Sequence, residues 1–162
     1  MTAPPPPGTR SILFVCTGNT CRSPLSEAIA RRLLADRLGC EPGELLSKGF
    51  SVQSAGVMAC PGEAASPHAV DAATELGAEL GEHLSRPVNP ELLASAELVV
   101  AMTRGHAMAL QYRFPNCGPE PILLDEANDL PDPIGGPPEE YRACAGIIAR
   151  NLDRLLTGWL GP

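Results

Sequence analysis

The chain predicts an α/β domain: a single-domain parallel sheet of about four strands with helices on both faces and a phosphate-binding loop after the first strand. Three observations carry that expectation. Short continuous apolar runs alternate with amphipathic segments along the chain. Each early run is followed by a loop and then a helical pattern, the order that parallel strands with crossover helices require. The first run opens directly into a Gly-containing loop and a helix, an arrangement that binds anions.

Taken in order, residues 1–9 hold four consecutive prolines and favour an extended, flexible tail, so the folded domain is expected over residues 10–162. Ser11-Ile12-Leu13-Phe14-Val15 reads as a strand buried on both faces. From Ser23-Pro24 the period changes. Leu25, Ala28, Ile29, Leu33 and Leu34 share one helical face, with Arg31, Arg32 and Asp36 opposite. Residues 50–55 form the second strand candidate, and Ser66-Pro67 opens a helix running through Leu76. Residues 97–102 predict a third strand, residues 103–112 a helix, and residues 121–124 a weaker fourth strand. A last helix enters through Pro137-Pro138 and runs over residues 139–156. The connection over residues 124–138, rich in Asp, Gly and Pro, is either a surface loop or a functional lid.

Composition narrows the function classes. A chain of 162 residues with 44% hydrophobic content holds one self-sufficient core, and 4% aromatic content makes that core aliphatic. A net charge of −7 opposes general binding to nucleic acid, so an anionic substrate needs a local positive site. The longest apolar run, residues 98–102, is far below the ~20 residues of a membrane span, and no membrane partner is expected. Six cysteines without paired C-x-x-C spacing read as reduced thiols, and the Pro-rich start does not resemble a secretory leader. A cytoplasmic protein without metal or cofactor is the expectation; no sequence feature bears on oligomeric state.

That positive site is expected in Cys16-Thr17-Gly18-Asn19-Thr20-Cys21-Arg22. A loop between strand and helix turns successive N–H groups and the helix dipole toward one point. Cys16 opens it, where amides and a guanidinium are expected to lower its thiol pKa. Arg22 closes it with a planar fork that can hold two phosphoryl oxygens. The C-x5-R spacing alone is weak, because Cys144 and Arg150 share it. That second pair lies in a helical pattern whose amides are already bonded, and Cys144 is expected to pack in the core.

The stretch Val15-Cys16-Thr17-Gly18-Asn19-Thr20-Cys21-Arg22-Ser23-Pro24 resembles the signature of the low-molecular-weight protein tyrosine phosphatases. The resemblance continues through Ser54-Ala55-Gly56, Ser66-Pro67-His68-Ala69-Val70, Ala101-Met102-Thr103 and Asp132-Pro133. It implies a protein phosphatase that acts on phosphorylated proteins through a phosphocysteine. Cys16 would be the nucleophile, Arg22 the phosphate clamp and Ser23 the hydroxyl that stabilises the thiolate. Asn19, Ser54 and His68 would form the network that holds the loop. By composition Asp125, Asp129 and Asp132 all compete for the general acid; the resemblance of Asp132-Pro133 to the family's acid loop selects Asp132.

Two positions bear on the substrate. Thr20 stands where tyrosine phosphatases of the family usually carry an aliphatic residue, and together with Ala101-Met102-Thr103 it resembles the bacterial protein arginine phosphatase branch. A hydroxyl there accepts from a guanidinium N–H, although a neutral substitution would look the same. Ile134 removes the aromatic expected after Asp132-Pro133, which disfavours phosphotyrosine. It also departs from the arginine branch, where Phe is expected. Phosphoarginine is the first reading and phosphotyrosine the second. An arsenate reductase of the same fold is a further alternative, for which Cys60 and Cys117 do not form an evident relay pair. A non-catalytic phosphate-binding module conflicts with the presence of both Cys16 and Asp132. Cys21, five residues after Cys16, is expected either to trap an oxidised Cys16 as a reversible disulfide, making the site redox-sensitive, or to be a half-buried loop thiol.

Overall fold

The computed structural model describes residues 3–162. Its elements are β1 (Arg10–Cys16), α1 (Arg22–Leu38), two short 3-10 turns (Pro42–Glu44 and Leu46–Lys48), β2 (Phe50–Gly56), α2 (Pro67–Glu75), α3 (Pro90–Ser95), β3 (Leu98–Ala101), α4 (Arg104–Arg113), β4 (Ile122–Leu123) and α5 (Pro138–Leu160). Among the described residues the strands make one four-stranded sheet in the order β2-β1-β3-β4, every pairing parallel. This is the α/β class that the alternation predicts.

β1 lies inside the sheet and is buried on both faces, which is why its sequence is continuously apolar. Successive side chains point to opposite faces. Ile12, Phe14 and Cys16 pack with α1, α2 and α5, while Leu13 and Val15 pack with Leu92 and Leu93 of α3 and Leu110 of α4. α1 stops where Gly39 takes a left-handed φ of 64° and lets the N–H of Cys40 bond the Ala35 carbonyl. Burying Leu25, Ile29 and Leu34 along that helix contributes about 1.5–3 kcal/mol each.

The structure adds one helix and extends another. α3 spans six residues, too few for a periodic pattern, but Asn89 caps it by accepting from the Leu92 N–H at 2.8 Å. α5 continues past Leu156 to Leu160, because Trp159 packs edge-on against Phe50 with ring centroids 5.6 Å apart. Of the Pro-rich tail, Met1 and Thr2 lie outside the described residues. Residues 3–9 hold a turn closed by Thr9 N–H on the Pro6 carbonyl, and the Gln53 amide donates to the Ala3 carbonyl at 3.1 Å. Among the described residues no helix is long and apolar enough to cross a membrane.

Sheet order places the site. The chain leaves β1 toward β2 and leaves β3 toward β4, so the connections diverge between the carboxyl ends of β1 and β3. Such a switch point opens a crevice for ligands. Residues 17–21 follow β1 into it, Met102 and Thr103 follow β3, and the 124–138 connection is tied to its rim by Leu130 N–H on the Met102 carbonyl at 3.0 Å.

Candidate active site

Loop 17–21 crosses the ends of β1 and β2 under several backbone ties. Val57 N–H bonds the Cys16 carbonyl at 2.9 Å, Met58 N–H the Thr17 carbonyl at 3.0 Å, and Ser66 N–H the Thr20 carbonyl at 2.9 Å. Gly56 is required beneath it. A Cβ at that position would overlap the Thr17 carbonyl oxygen and stand 2.9 Å from the Ala59 Cβ. Asn19 turns the loop with a left-handed φ of 57°, a conformation that Asn accepts more readily than other side chains. The N–H groups of Gly18, Thr20 and Cys21 meet no acceptor among the described residues and are left for an anion.

Asn19 is the hub that keeps this shape. Its side-chain amide donates to Ser23 Oγ at 2.8 Å and to Ser54 Oγ at 3.0 Å, and its Oδ1 accepts from the Arg86 N–H at 3.0 Å. Ser54 passes the chain on to Glu27 Oε2 at 2.6 Å. The histidine in this network is His83, whose Nε2 donates to the Asn19 carbonyl at 2.7 Å while its Nδ1 stands 4.0 Å from Glu27. His68, expected here, lies elsewhere: its ring packs edge-on against Tyr141 at 5.4 Å. The correction has a topological cause. The segment that follows α2 returns across the end of β2, where Gly56 and Pro87 bridge, and carries His83 under the loop.

Cys16 is 3% exposed, with its sulfur 2.9 Å from Ser23 Oγ. Burial pushes the thiol above its ordinary value; the Ser23 hydroxyl, the N–H groups of Ser23 and Asn19, and the Arg22 guanidinium pull it down without reversing the shift. The direction is opposite to the lowered pKa expected from the sequence, because that expectation counted the donors and not the cost of enclosing the sulfur. Ser23→Ala removes the strongest of those donors. It is expected to move the pH profile of iodoacetamide labelling of Cys16 further up and to slow labelling at pH 7 about tenfold, the worth of a hydrogen bond to a charged group. Labelling as fast as the parent's would remove Ser23 from that role.

Arg22 is buried and directed across the crevice. One guanidinium nitrogen donates to the Leu130 carbonyl at 3.1 Å and the other to Asp132 Oδ2 at 3.3 Å. Asp132 also accepts from the Ile134 N–H at 3.2 Å, and its carboxylate is about half exposed. Its two rivals are engaged elsewhere. Asp125 closes a local turn on the N–H groups of Ala127 and Asn128, and Asp129 accepts the Arg104 N–H at the start of α4 at 2.9 Å. Ile134 is 64% exposed beside the acid loop, and Thr20 is partly exposed with its hydroxyl 3.9 Å from the Cys21 sulfur.

Other cysteines separate by environment. Cys144 is enclosed in α5, where burial drives its thiol up to about 12, while Arg150 is exposed; that C-x5-R match holds no loop. Cys21 is buried against the Tyr141 hydroxyl, which accepts from Ser66 at 3.0 Å. Cys117 packs with the cluster on the opposite sheet face from Cys16, and Cys60 is exposed, so neither stands as a packed partner of Cys16. The residues that the sequence did not single out are Glu27, His83, Arg86, Tyr141 and His106. His106 had a signal: it lies three residues after Thr103, on the first helical turn beyond a strand that points into the crevice.

Together these groups form an anion cradle holding a thiol, a guanidinium clamp and a carboxyl group, the parts needed for transfer of a phosphoryl group to sulfur and then to water. Residues 11–159 match the family model described as low molecular weight phosphotyrosine protein phosphatase. The chain is 40% identical to a protein-arginine-phosphatase of Bacillus subtilis (strain 168), over 89% of this chain and 93% of that one. It is 30% identical to a probable low molecular weight protein-tyrosine-phosphatase, EpsP, of Ralstonia solanacearum, over 89% and 92%. Its fold superposes with a TM-score of 0.78, at 37% identity, on a mutant of the YwlE arginine phosphatase with a phosphorylated active-site serine, covering 90% of this chain and 92% of that one.

Proposed function

The chain belongs to the low molecular weight phosphotyrosine protein phosphatase family, and from that premise we propose that it hydrolyses phosphoarginine in proteins through a phosphocysteine on Cys16. The observation that carries the chemistry is the placement of Arg22 between the Cys16 loop and Asp132. On binding, the phosphoryl oxygens take the loop amides and the Arg22 fork, displacing the Asp132 carboxylate from it. The displaced Asp132 carboxylate takes up the Cys16 thiol proton, the sulfur attacks phosphorus, an S–P bond forms, the P–N bond breaks, and Asp132 passes that proton to the leaving guanidine nitrogen. Water then attacks phosphorus while Asp132 accepts its proton; the S–P bond breaks and inorganic phosphate leaves.

For the substrate, Thr20 offers a partly exposed hydroxyl on the loop, the position after Asp132-Pro133 carries no ring, and the Bacillus relative named above is an arginine phosphatase. The second reading, phosphotyrosine, is favoured by the family model and by the Ralstonia relative named above. Matched peptides separate the two. We expect kcat/KM for phosphoarginine to exceed that for phosphotyrosine by at least about tenfold, roughly 1.4 kcal/mol of transition-state discrimination. Thr20→Ile should shift the ratio toward phosphotyrosine. A parent that prefers phosphotyrosine sinks the first reading; an unchanged ratio in Thr20→Ile removes Thr20 from it.

A further inference from the structure

His106 is 6% exposed on the first turn of α4, held by its own N–H on the Thr103 hydroxyl at 3.1 Å. Its Nε2 is 2.8 Å from Thr17 Oγ1, and among the described residues its buried Nδ1 has no hydrogen-bond partner. Thr17 is exposed and adjoins Cys16. Its side chain reaches the α4 side of the switch-point crevice, whereas the Thr20 carbonyl is tied to Ser66 on the α2 side. The loop therefore brings the Thr17 hydroxyl to the α4 wall.

An orphaned buried N–H is rarer than an unpaired acceptor, so the imidazole proton belongs on Nε2, where it donates to Thr17 Oγ1, and Nδ1 keeps the bare lone pair. Burial and then Arg22 pull His106 down to about 4, against the opposing fields of Asp132 and Asp129, so the ring is neutral at pH 7 and places no cation at this wall. With one lone pair of Thr17 Oγ1 engaged, the other and the hydroxyl proton remain available on this exposed residue.

We propose that His106 is a positioning residue for substrate choice: it orients the Thr17 hydroxyl so that its second lone pair accepts an N–H of the phosphoarginine guanidinium. This rests on the phosphoarginine reading above. It extends recognition to the α4 wall and ties it to a histidine that does not itself touch substrate.

The test compares kcat/KM on a phosphoarginine peptide and on an aryl phosphate for the parent, His106→Phe, His106→Gln and Thr17→Val. His106→Phe keeps a ring of similar size without the donor; Gln restores an N–H near the place of Nε2. We expect the phosphoarginine-to-aryl ratio to fall about tenfold in His106→Phe, from the loss of one oriented hydrogen bond, and by a similar factor in Thr17→Val. Gln should recover most of it, and the Phe/Val double variant should fall no further than either single one. A general packing defect lowers both substrates together and leaves the ratio unmoved, and that result overturns the proposal. So does a Gln variant no better than Phe. If the His106 variants do not fold, Thr17→Val alone decides by the same ratio. A parent without phosphoarginine preference removes the premise and this inference together; a parent with that preference, but with an unmoved ratio in the variants, removes this inference alone.

Discussion

Replacing Cys16 with Ser is expected to lower hydrolysis of an aryl phosphate by about four orders of magnitude or more, roughly 5.5 kcal/mol of activation free energy. Oxygen fits the space, so the loop and its Asn19 hub should persist. What is lost is ionisation and the leaving ability of sulfur: no loop of amides makes a serine hydroxyl as acidic as a thiol, and the second half of the reaction needs the S–P bond to break. Cys144→Ser serves as the control, because that thiol is enclosed in α5 away from the loop, and its activity should match the parent's. Chelator should not change the rate, since the proposed mechanism takes the charge that faces the phosphoryl group from Arg22 and the loop amides. Substantial activity in the Cys16 variant would overturn the phosphocysteine route.

Asp132→Asn is expected to slow turnover by about 10²–10⁴, the range for losing a positioned acid-base group. Arg22 and the Ile134 N–H use different oxygens of the carboxylate, and Asn keeps one acceptor, so it can hold the Ile134 N–H and the local turn while giving up the contact with Arg22. Binding of phosphate should be unchanged or tighter, because the carboxylate no longer competes with the anion for the Arg22 fork. Asp129→Asn is the matching control. Its carboxylate caps the start of α4 and pairs with exposed Arg104 at 3.5 Å, an interaction worth at most about 1 kcal/mol. A larger loss of rate in Asp129→Asn than in Asp132→Asn would exchange their roles.

The parts of this site that could be read from sequence are those whose chemistry is local. Strand, loop and helix follow one another without a break from Ser11 to Pro24, so an apolar run, a Gly-Asn turn and a proline at the helix start were enough to place Cys16 and Arg22 at the two ends of one loop. The same local logic separated Cys144, since a helical period already commits its amides. Parallel alternation predicted the sheet, but α3 escaped because six residues with two buried leucines carry no period.

Other features needed the chain to return on itself. Which histidine supports the loop was open in sequence: His68 sits in a motif near a proline-started helix, yet α2 turns it toward Tyr141, and His83, 64 residues from Asn19, arrives on the strand-like return beside Gly56. Composition left three aspartates equal, and the hydrogen bonds that occupy Asp125 and Asp129 and bring Asp132 to Arg22 exist only once the 124–138 connection is pinned to the end of β3. The thiol pKa reversed for a related reason: donors can be counted along a loop, whereas enclosure depends on elements far away in the chain. Sequence by itself thus determined the fold class and the strand-loop-helix unit that carries Cys16 and Arg22, because these depend on neighbours in the chain. The supporting histidine, the reach of Asp132, the burial of Cys16 and the His106 contact with Thr17 were decided only by tertiary structure, because each depends on a long-range approach that no local period or spacing encodes.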